Sequence, residues 1–300
     1  MPRILEGRVA IVTGSAGGLG RAHVRYLAHK GARVVVNDLS QDAVDSVARE
    51  ITAAGGEALA IAGSVTDDRA MTAMVARVVE QWGRVDILVN NAGILRDKSF
   101  GKMSLDDFRL VIDVHLMGAV ICTKAVWDRM REQRYGRVVM TTSSSGLYGN
   151  FGQANYGAAK MALVGLMQTL AIEGQKYDIR VNCLAPSAAT RMTEGVLSDE
   201  SLRVLDPSLV SPGLLALVSD DAPTRSILCA GGGNFAAAYV TLTPGYHVDT
   251  GDDAGEQVIA HWHDISNRAG EIVPDYGFTQ AEREVASAGL SAPVLRPLGA

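Results

Sequence analysis

Three residues of this chain could handle a proton together: Ser143, Tyr156 and Lys160. Tyr156 and Lys160 stand four apart, so in a helix their side chains share one face. A free phenol ionises near pH 10, too high for ready proton exchange at neutral pH. A nearby ammonium favours the phenolate by Coulomb attraction, and lowering the pKa by about two units takes only roughly 2.7 kcal/mol. Tyr156 could then act as general base toward a hydroxyl, or as general acid toward a carbonyl. Ser143 follows a β-branched run, and its hydroxyl could hold the reacting oxygen as charge develops on it. Tyr-x-x-x-Lys spacing is common by itself, and Ser144 and Ser145 adjoin Ser143, so the reading needs a second motif.

That motif is Thr13-Gly14-Ser15-Ala16-Gly17-Gly18-Leu19-Gly20, lying between a β-branched run and a helical pattern. Glycines suit a tight turn whose backbone must approach a pyrophosphate. Gly18, Leu19 and Gly20 would open a helix whose unpaired N–H groups face the anion, with Gly14 in the turn. Asp38 ends the second apolar run, 38 − 20 = 18 residues after the last glycine. A carboxylate there accepts hydrogen bonds from ribose hydroxyls and repels a 2′-phosphate. Position 17 is Gly rather than Arg, so no basic group beside the turn invites that phosphate. The expected cofactor is NAD.

The elements that must position these groups alternate. Arg8–Thr13, Arg33–Asn37, Ala58–Ala62, Val85–Val89, Arg137–Thr141, Ile179–Cys183 and Ile227–Ala230 read as strands, separated by helical patterns such as Asp42–Ala54 and Asp67–Trp82. Continuous apolar strands alternating with helices predict an α/β fold, a doubly wound parallel sheet of the Rossmann type, covered on both faces. The expected organisation is one domain over residues 1–249 with a C-terminal extension over 250–300. Arg191 to Pro212 reads as a loop or short helices that could close over a substrate. In the extension only a short helix near Glu256–Ile265 is indicated.

Composition narrows the partners. A formal net charge of −5 leaves no basic footprint for nucleic acid. The most apolar stretch, Ala158 to Ile172, is broken by Lys160 and Gln168 and is short for a bilayer, so no membrane is expected. Three widely spaced cysteines make neither a disulfide framework nor a metal knuckle. The N-terminus shows no secretory pattern, and the cytoplasm is the expected compartment. His261 and His263, two apart, point to different sides of a helix, and no metal is expected. The small apolar residues on the Tyr156 helix form more than one stripe, so burial on two sides is expected, one of them against the sheet.

Together TGSAGGLG, Asn90-Asn91-Ala92-Gly93 and Tyr156-Gly157-Ala158-Ala159-Lys160 resemble the short-chain dehydrogenase/reductase family, over about residues 5 to 245. The resemblance implies hydride transfer between a secondary alcohol or ketone and a nicotinamide. It makes Asn91, Ala92 and Gly93 neighbours of the cofactor and places Pro186 near the nicotinamide, with Thr190 at its carboxamide. Tyr156 and Lys160 would also meet the cofactor. Ser64, followed by Val65, takes a position where many members carry an Asp for the adenine. His115 stands where many have an Asn completing a tetrad with the catalytic trio.

A narrower resemblance joins Asn90–Phe100, Tyr135–Lys160 and Leu170–Gly195 to the (3R)-hydroxyacyl-CoA dehydrogenase domain of peroxisomal multifunctional enzymes and to bacterial single-domain relatives. It implies a 3-hydroxyacyl-CoA as substrate, in fatty-acid or sterol side-chain degradation, and a homodimer or homotetramer. A hydroxysteroid or general carbonyl oxidoreductase stays open, as does a non-catalytic nucleotide sensor on the same fold.

Overall fold

The computed structural model describes residues 3–189, 198–249 and 251–291. By its contacts the chain divides into two units, Met1–Ala238 and Tyr239–Ala300, with the break falling ahead of the 249/250 boundary expected from composition.

The first unit is built on β1 (Val9–Thr13), β2 (Arg33–Asp38), β3 (Ala58–Ala62), β4 (Ile87–Asn90), β5 (Gly136–Thr141), β6 (Ile179–Pro186), β7 (Ile227–Gly231) and β8 (Asn234–Ala238). They form one sheet in the order β3-β2-β1-β4-β5-β6-β7-β8. The first seven strands run parallel, winding outward in both directions from β1, as the alternating pattern predicts.

Successive side chains of a strand face opposite sides, and the sequence uses both. Val9 and Ile11 of β1, with Leu88, Val138 and Met140, pack under α3 (Asp68–Trp82), α5 (Gly118–Gln133) and α7 (Ala154–Gly174). Ala10 and Val12, with Val34, Val36 and Val89, pack under α1 (Gly18–His29), α2 (Gln41–Ala53) and α9 (Ser211–Val218). Local signals set the boundaries: Ser40 and Asp67 cap α2 and α3 through their side chains, and Gly83 ends α3 in a left-handed conformation.

Two findings add to the sequence reading. The strand pattern stops at Ala230, yet Gly232 and Gly233 turn with φ of 57° and 78° and return the chain as β8, antiparallel to β7. Two consecutive positive φ values are what a two-residue hairpin requires. Secondly, α4 (Leu105–Ile112) runs through a π-turn at Asp113–Met117 into α5, and the combined helix Leu105–Gln133 is long and apolar enough by composition to cross a bilayer. Within it Val111, Ala119, Cys122, Val126 and Met130 are buried, the packing of a core helix.

In the second unit α10 (Ala254–Ala260), α11 (Trp262–Ile265) and α12 (Phe278–Ser287) are accompanied by a β-bridge between Leu242 and Ile272. His261 stacks on Tyr246, with ring centroids 4.1 Å apart, and bonds Asp264. His263 is solvent-exposed.

Candidate active site

The site gathers at the carboxyl ends of β1, β2, β4, β5 and β6. Gly14 leaves β1 with φ of 64°, and a Cβ there would stand 2.7 Å from Ala92 Cα. A Cβ on Gly20 would stand 2.2 Å from the Gly14 carbonyl oxygen, so α1 can start this close to the strand only with glycine there. No side chain caps α1 at Gly17, which leaves the amides of Gly18, Leu19 and Gly20 to an anion. The Asp38 carboxylate accepts the N–H of Ala16 at 3.1 Å and of Leu39 at 2.8 Å, which orients it beside the turn with lone pairs to spare.

Asn91 locks the two halves of this cradle. Its side-chain amide donates to the carbonyls of Thr13 and Gly14, at 2.9 and 3.0 Å. The N–H groups of Asn91 and Ala92 both donate to Thr13 Oγ1. Val65 is buried against Gly118, and Ser64 Oγ pairs with Thr66 Oγ1 at 2.8 Å. Pro186 closes β6, and the following Ser187 donates its N–H to Ala230. Thr190 lies outside the described residues. The residues present therefore fit a dinucleotide: an uncapped helix start, a backbone that only glycine allows, and an oriented carboxylate.

Ser143, Tyr156 and Lys160 come together as their spacing predicts, the first at the end of β5 and the others on α7. Ser143 caps α6 (Ser144–Tyr148) by accepting the Ser145 N–H, and its hydroxyl lies close enough to the Tyr156 phenol to favour the ionised form of that phenol. That approach distinguishes it from Ser144 and Ser145. The Lys160 ammonium donates to the Thr141 carbonyl at 2.5 Å and lies 5.5 Å from the Tyr156 ring centroid. Gly146 permits this packing, because a Cβ there would stand 2.7 Å from Lys160 Cβ.

The electrostatics differ from the sequence expectation. Burial raises the Tyr156 phenol above its ordinary value, opposed by the Ser143 hydrogen bond and reinforced by the Asp97 charge. Burial also pushes Lys160 down to about 7. Both groups have been withdrawn from water, which disfavours the charged form of each. The arrangement thus presents a protonated phenol, an acid form suited to donating toward a carbonyl oxygen.

Sequence reasoning missed Asn155. It is fully buried, accepts the Tyr156 N–H at 2.7 Å and donates to the Arg96 carbonyl at 3.1 Å. It thereby fixes the start of α7 to the 94–98 segment, where Lys98 also bonds Gly152. An Asn beside a helix start was the available signal. His115 is buried with its ring edge-on to Tyr156, centroids 5.2 Å apart, and its Nε2 meets the Ile94 carbonyl at 2.8 Å and the Ile94 N–H at 3.0 Å.

Residues 8–201 match the family model for short chain dehydrogenase. The chain is 51% identical over 216 residues to peroxisomal multifunctional enzyme type 2 of Drosophila melanogaster, covering 69% of this chain and 36% of that relative. It is 43% identical to a short-chain type dehydrogenase/reductase of Mycobacterium tuberculosis, covering 92% and 99% respectively. Thus it spans about a third of the fly enzyme and nearly all of the mycobacterial one. A solved 7α-hydroxysteroid dehydrogenase complexed with NADH and 7-oxo glycochenodeoxycholic acid superposes with a TM-score of 0.71 at 30% identity, covering 77% of this chain and 95% of that one. With this match and a site at the carboxyl edge of a doubly wound sheet, the chain belongs to the short-chain dehydrogenase family of nicotinamide-dependent oxidoreductases.

Proposed function

We propose that the protein interconverts a 3-hydroxyacyl-CoA and a 3-oxoacyl-CoA with NAD, using Tyr156 as acid–base, Ser143 to hold the reacting oxygen and Lys160 to set the charge beside the phenol. The observation that carries the reading is the grouping of Ser143 beside the Tyr156 phenol with Lys160 on the next helical turn, its ammonium 5.5 Å from the Tyr156 ring centroid. Gly14, Gly18, Leu19 and Gly20 cradle the pyrophosphate. Asp38 holds the adenosine ribose, Ser64 and Val65 border the adenine, Asn91, Ala92 and Gly93 border the cofactor with Tyr156 and Lys160, and Pro186 lies near the nicotinamide; the family resemblance assigns Thr190, outside the described residues, to the carboxamide. When bound, the oxidised nicotinamide supplies the hydride acceptor and a positive charge that favours the phenolate.

NAD rather than NADP follows from Asp38, whose carboxylate is turned into the cradle by Ala16 and would oppose a 2′-phosphate. The CoA thioester follows from the segments resembling hydroxyacyl-CoA dehydrogenase domains. The similarity to a hydroxysteroid dehydrogenase favours a second reading, a steroid alcohol as substrate. The dehydrogenase domain is read as 1–249, with 250–300 its extension. A homodimer or homotetramer is part of the proposal, since Met161 on the outer side of α7 stays exposed, as is a cytoplasmic setting.

The test is NADH formation across CoA thioesters, free hydroxy acids and steroid alcohols. Turnover of 3-hydroxyacyl-CoA is expected, and Tyr156→Phe should reduce kcat about a thousandfold or more while NADH still binds. Turnover of steroids without thioesters would replace the substrate. Tight NADH binding with no turnover of any alcohol would remove the enzymatic reading.

A further inference from the structure

Three hydrogen bonds join the 94–98 segment to the start of α7, beside the Tyr156 phenol. The Asn155 amide donates to the Arg96 carbonyl at 3.1 Å, and the Lys98 N–H to the Gly152 carbonyl at 2.9 Å. Both of these are neutral, and each holds the segment by a backbone atom. The third runs from the Gln153 amide to the Asp97 carboxylate at 2.7 Å, and it alone of the three brings a charge. Gln153 occupies the cap position of α7, three residues before Tyr156, so their side chains share one face. The carboxylate is thereby held on the phenol's side of the helix start.

The charges of this segment are sorted. Arg96 and Lys98 flank Asp97, yet both turn to Asp107 of α4, at 3.8 and 3.4 Å. Among the described residues no cation lies within ion-pair distance of Asp97, so its negative charge stays uncompensated. Its place is favourable to an anion, because α7 has neither a side-chain cap nor an acidic residue in its first turn. We propose that Asp97 is a positioning residue acting through its charge, which opposes formation of the Tyr156 phenolate and keeps the phenol in the form that donates a proton to a ketone. Asp97 thus favours reduction over oxidation near neutral pH. The inference rests on the reading of Tyr156 as the acid–base group.

The titratable and charged groups facing the phenol are few. Lys160 comes from its own helix, His115 from the π-turn and Asp97 from the 94–98 segment, while Ser143 at the end of β5 brings a neutral hydroxyl. Burial, and then the Lys160 charge, push His115 down to about 3, so the imidazole is neutral across the working range. Burial pushes Lys160 down to about 7, which weakens its support for a phenolate as pH rises. Asp97 adds to the burial that already raises the phenol. The carboxylate is exposed, so water and salt screen it, and its effect on the phenol is a few-fold one.

The measurement is the pH profile of kcat/KM in both directions for Asp97→Asn beside wild type. The amide keeps the shape and still accepts the Gln153 hydrogen bond, while the charge is gone. Oxidation needs the ionised phenol and reduction the protonated one. Removing the negative charge eases ionisation, so both limbs should move to lower pH by about half a unit. Oxidation below its limb should then rise about threefold, and reduction above its limb should fall about threefold. At roughly 1 M salt, where the screening length is about 3 Å, most of the gap between the two proteins should close. Asp97→Ser, also neutral, gives the same reading should the amide misfold. Limbs that stay in place, or a loss equal at every pH, overturn the proposal and leave Asp97 a purely structural link. Titration of the phenol itself, followed by NMR of labelled tyrosine without substrate, should show the same half-unit difference, and equal midpoints also overturn it. Absence of any turnover in the wild type would instead break the functional reading, and the NMR arm would still decide the role of Asp97.

Discussion

Arg137 and Lys160 are buried cations at opposite ends of β5, and the protein treats them in opposite ways. Arg137 begins the strand. Its Nε donates to the Ser219 carbonyl, Nη1 to the carbonyls of Gly136 and Asp178, and Nη2 to the Asp178 carboxylate and the Asp220 carbonyl. Its guanidinium also lies 4.1 Å from the Tyr135 ring centroid, whose other neighbour is the Arg8 guanidinium at 3.7 Å. Every donor is used. Lys160 meets the far end of the strand at Thr141, with one acceptor and several unpartnered polar atoms close by among the described residues. A buried charge with all its hydrogen bonds made is a structural fastener, whereas one left partly unmet has an easily displaced proton.

Substitutions can sharpen or break this contrast. Lys160→Met should lower kcat about a thousandfold, yet leave the folded state as stable as wild type or more so. The lysine binds protons more weakly folded, at about 7, than its ordinary 10.5. Between those values the unfolded chain holds more protons, so wild-type stability rises with pH and the burial penalty is greatest below pH 7. Any advantage of the Met variant in urea unfolding should therefore shrink from pH 7 toward pH 10. A destabilised Met variant at pH 7 would make Lys160 a fastener too.

Arg137→Met should do the reverse, costing about 3–5 kcal/mol because Asp178 and several carbonyls lose their donor. NADH affinity and kcat of the surviving fold should stay near wild type. The smallest effect belongs to Asp38, which lies far from both cations in the strand order. Asp38→Ser should relax the preference for NAD over NADP by about tenfold, or roughly 1.4 kcal/mol, read as the ratio of kcat/KM for the two cofactors. No change in that ratio would move cofactor choice away from Asp38.

Much of the fold and cradle was legible because the signals are local. The glycines of residues 14–20, the carboxylate at the end of β2 and the four-residue step from Tyr156 to Lys160 each follow from a strand or helix repeat. The β7–β8 hairpin was also legible in principle, since Gly232-Gly233 followed by Asn-Phe-Ala-Ala-Ala is a turn and strand, but the expected strands end with Ile227–Ala230. The choice of Ser143 over its two serine neighbours was not legible. It depends on where β5 ends relative to α7, and the two elements meet only across the folded sheet.

Asn155 and the joint placement of Asp97 and Gln153 were hidden for the same reason. These residues come from the 94–98 segment and the start of α7, and no spacing along the chain brings the two together. The order of elements, the nucleotide turn and the pairing of Tyr156 with Lys160 are written in nearest-neighbour patterns. Their charge states are not, because a pKa depends on how much water the packed sheet and helices exclude. That exclusion makes Tyr156 a held acid and Lys160 a weak base, where helical spacing alone argues for a sharpened phenolate.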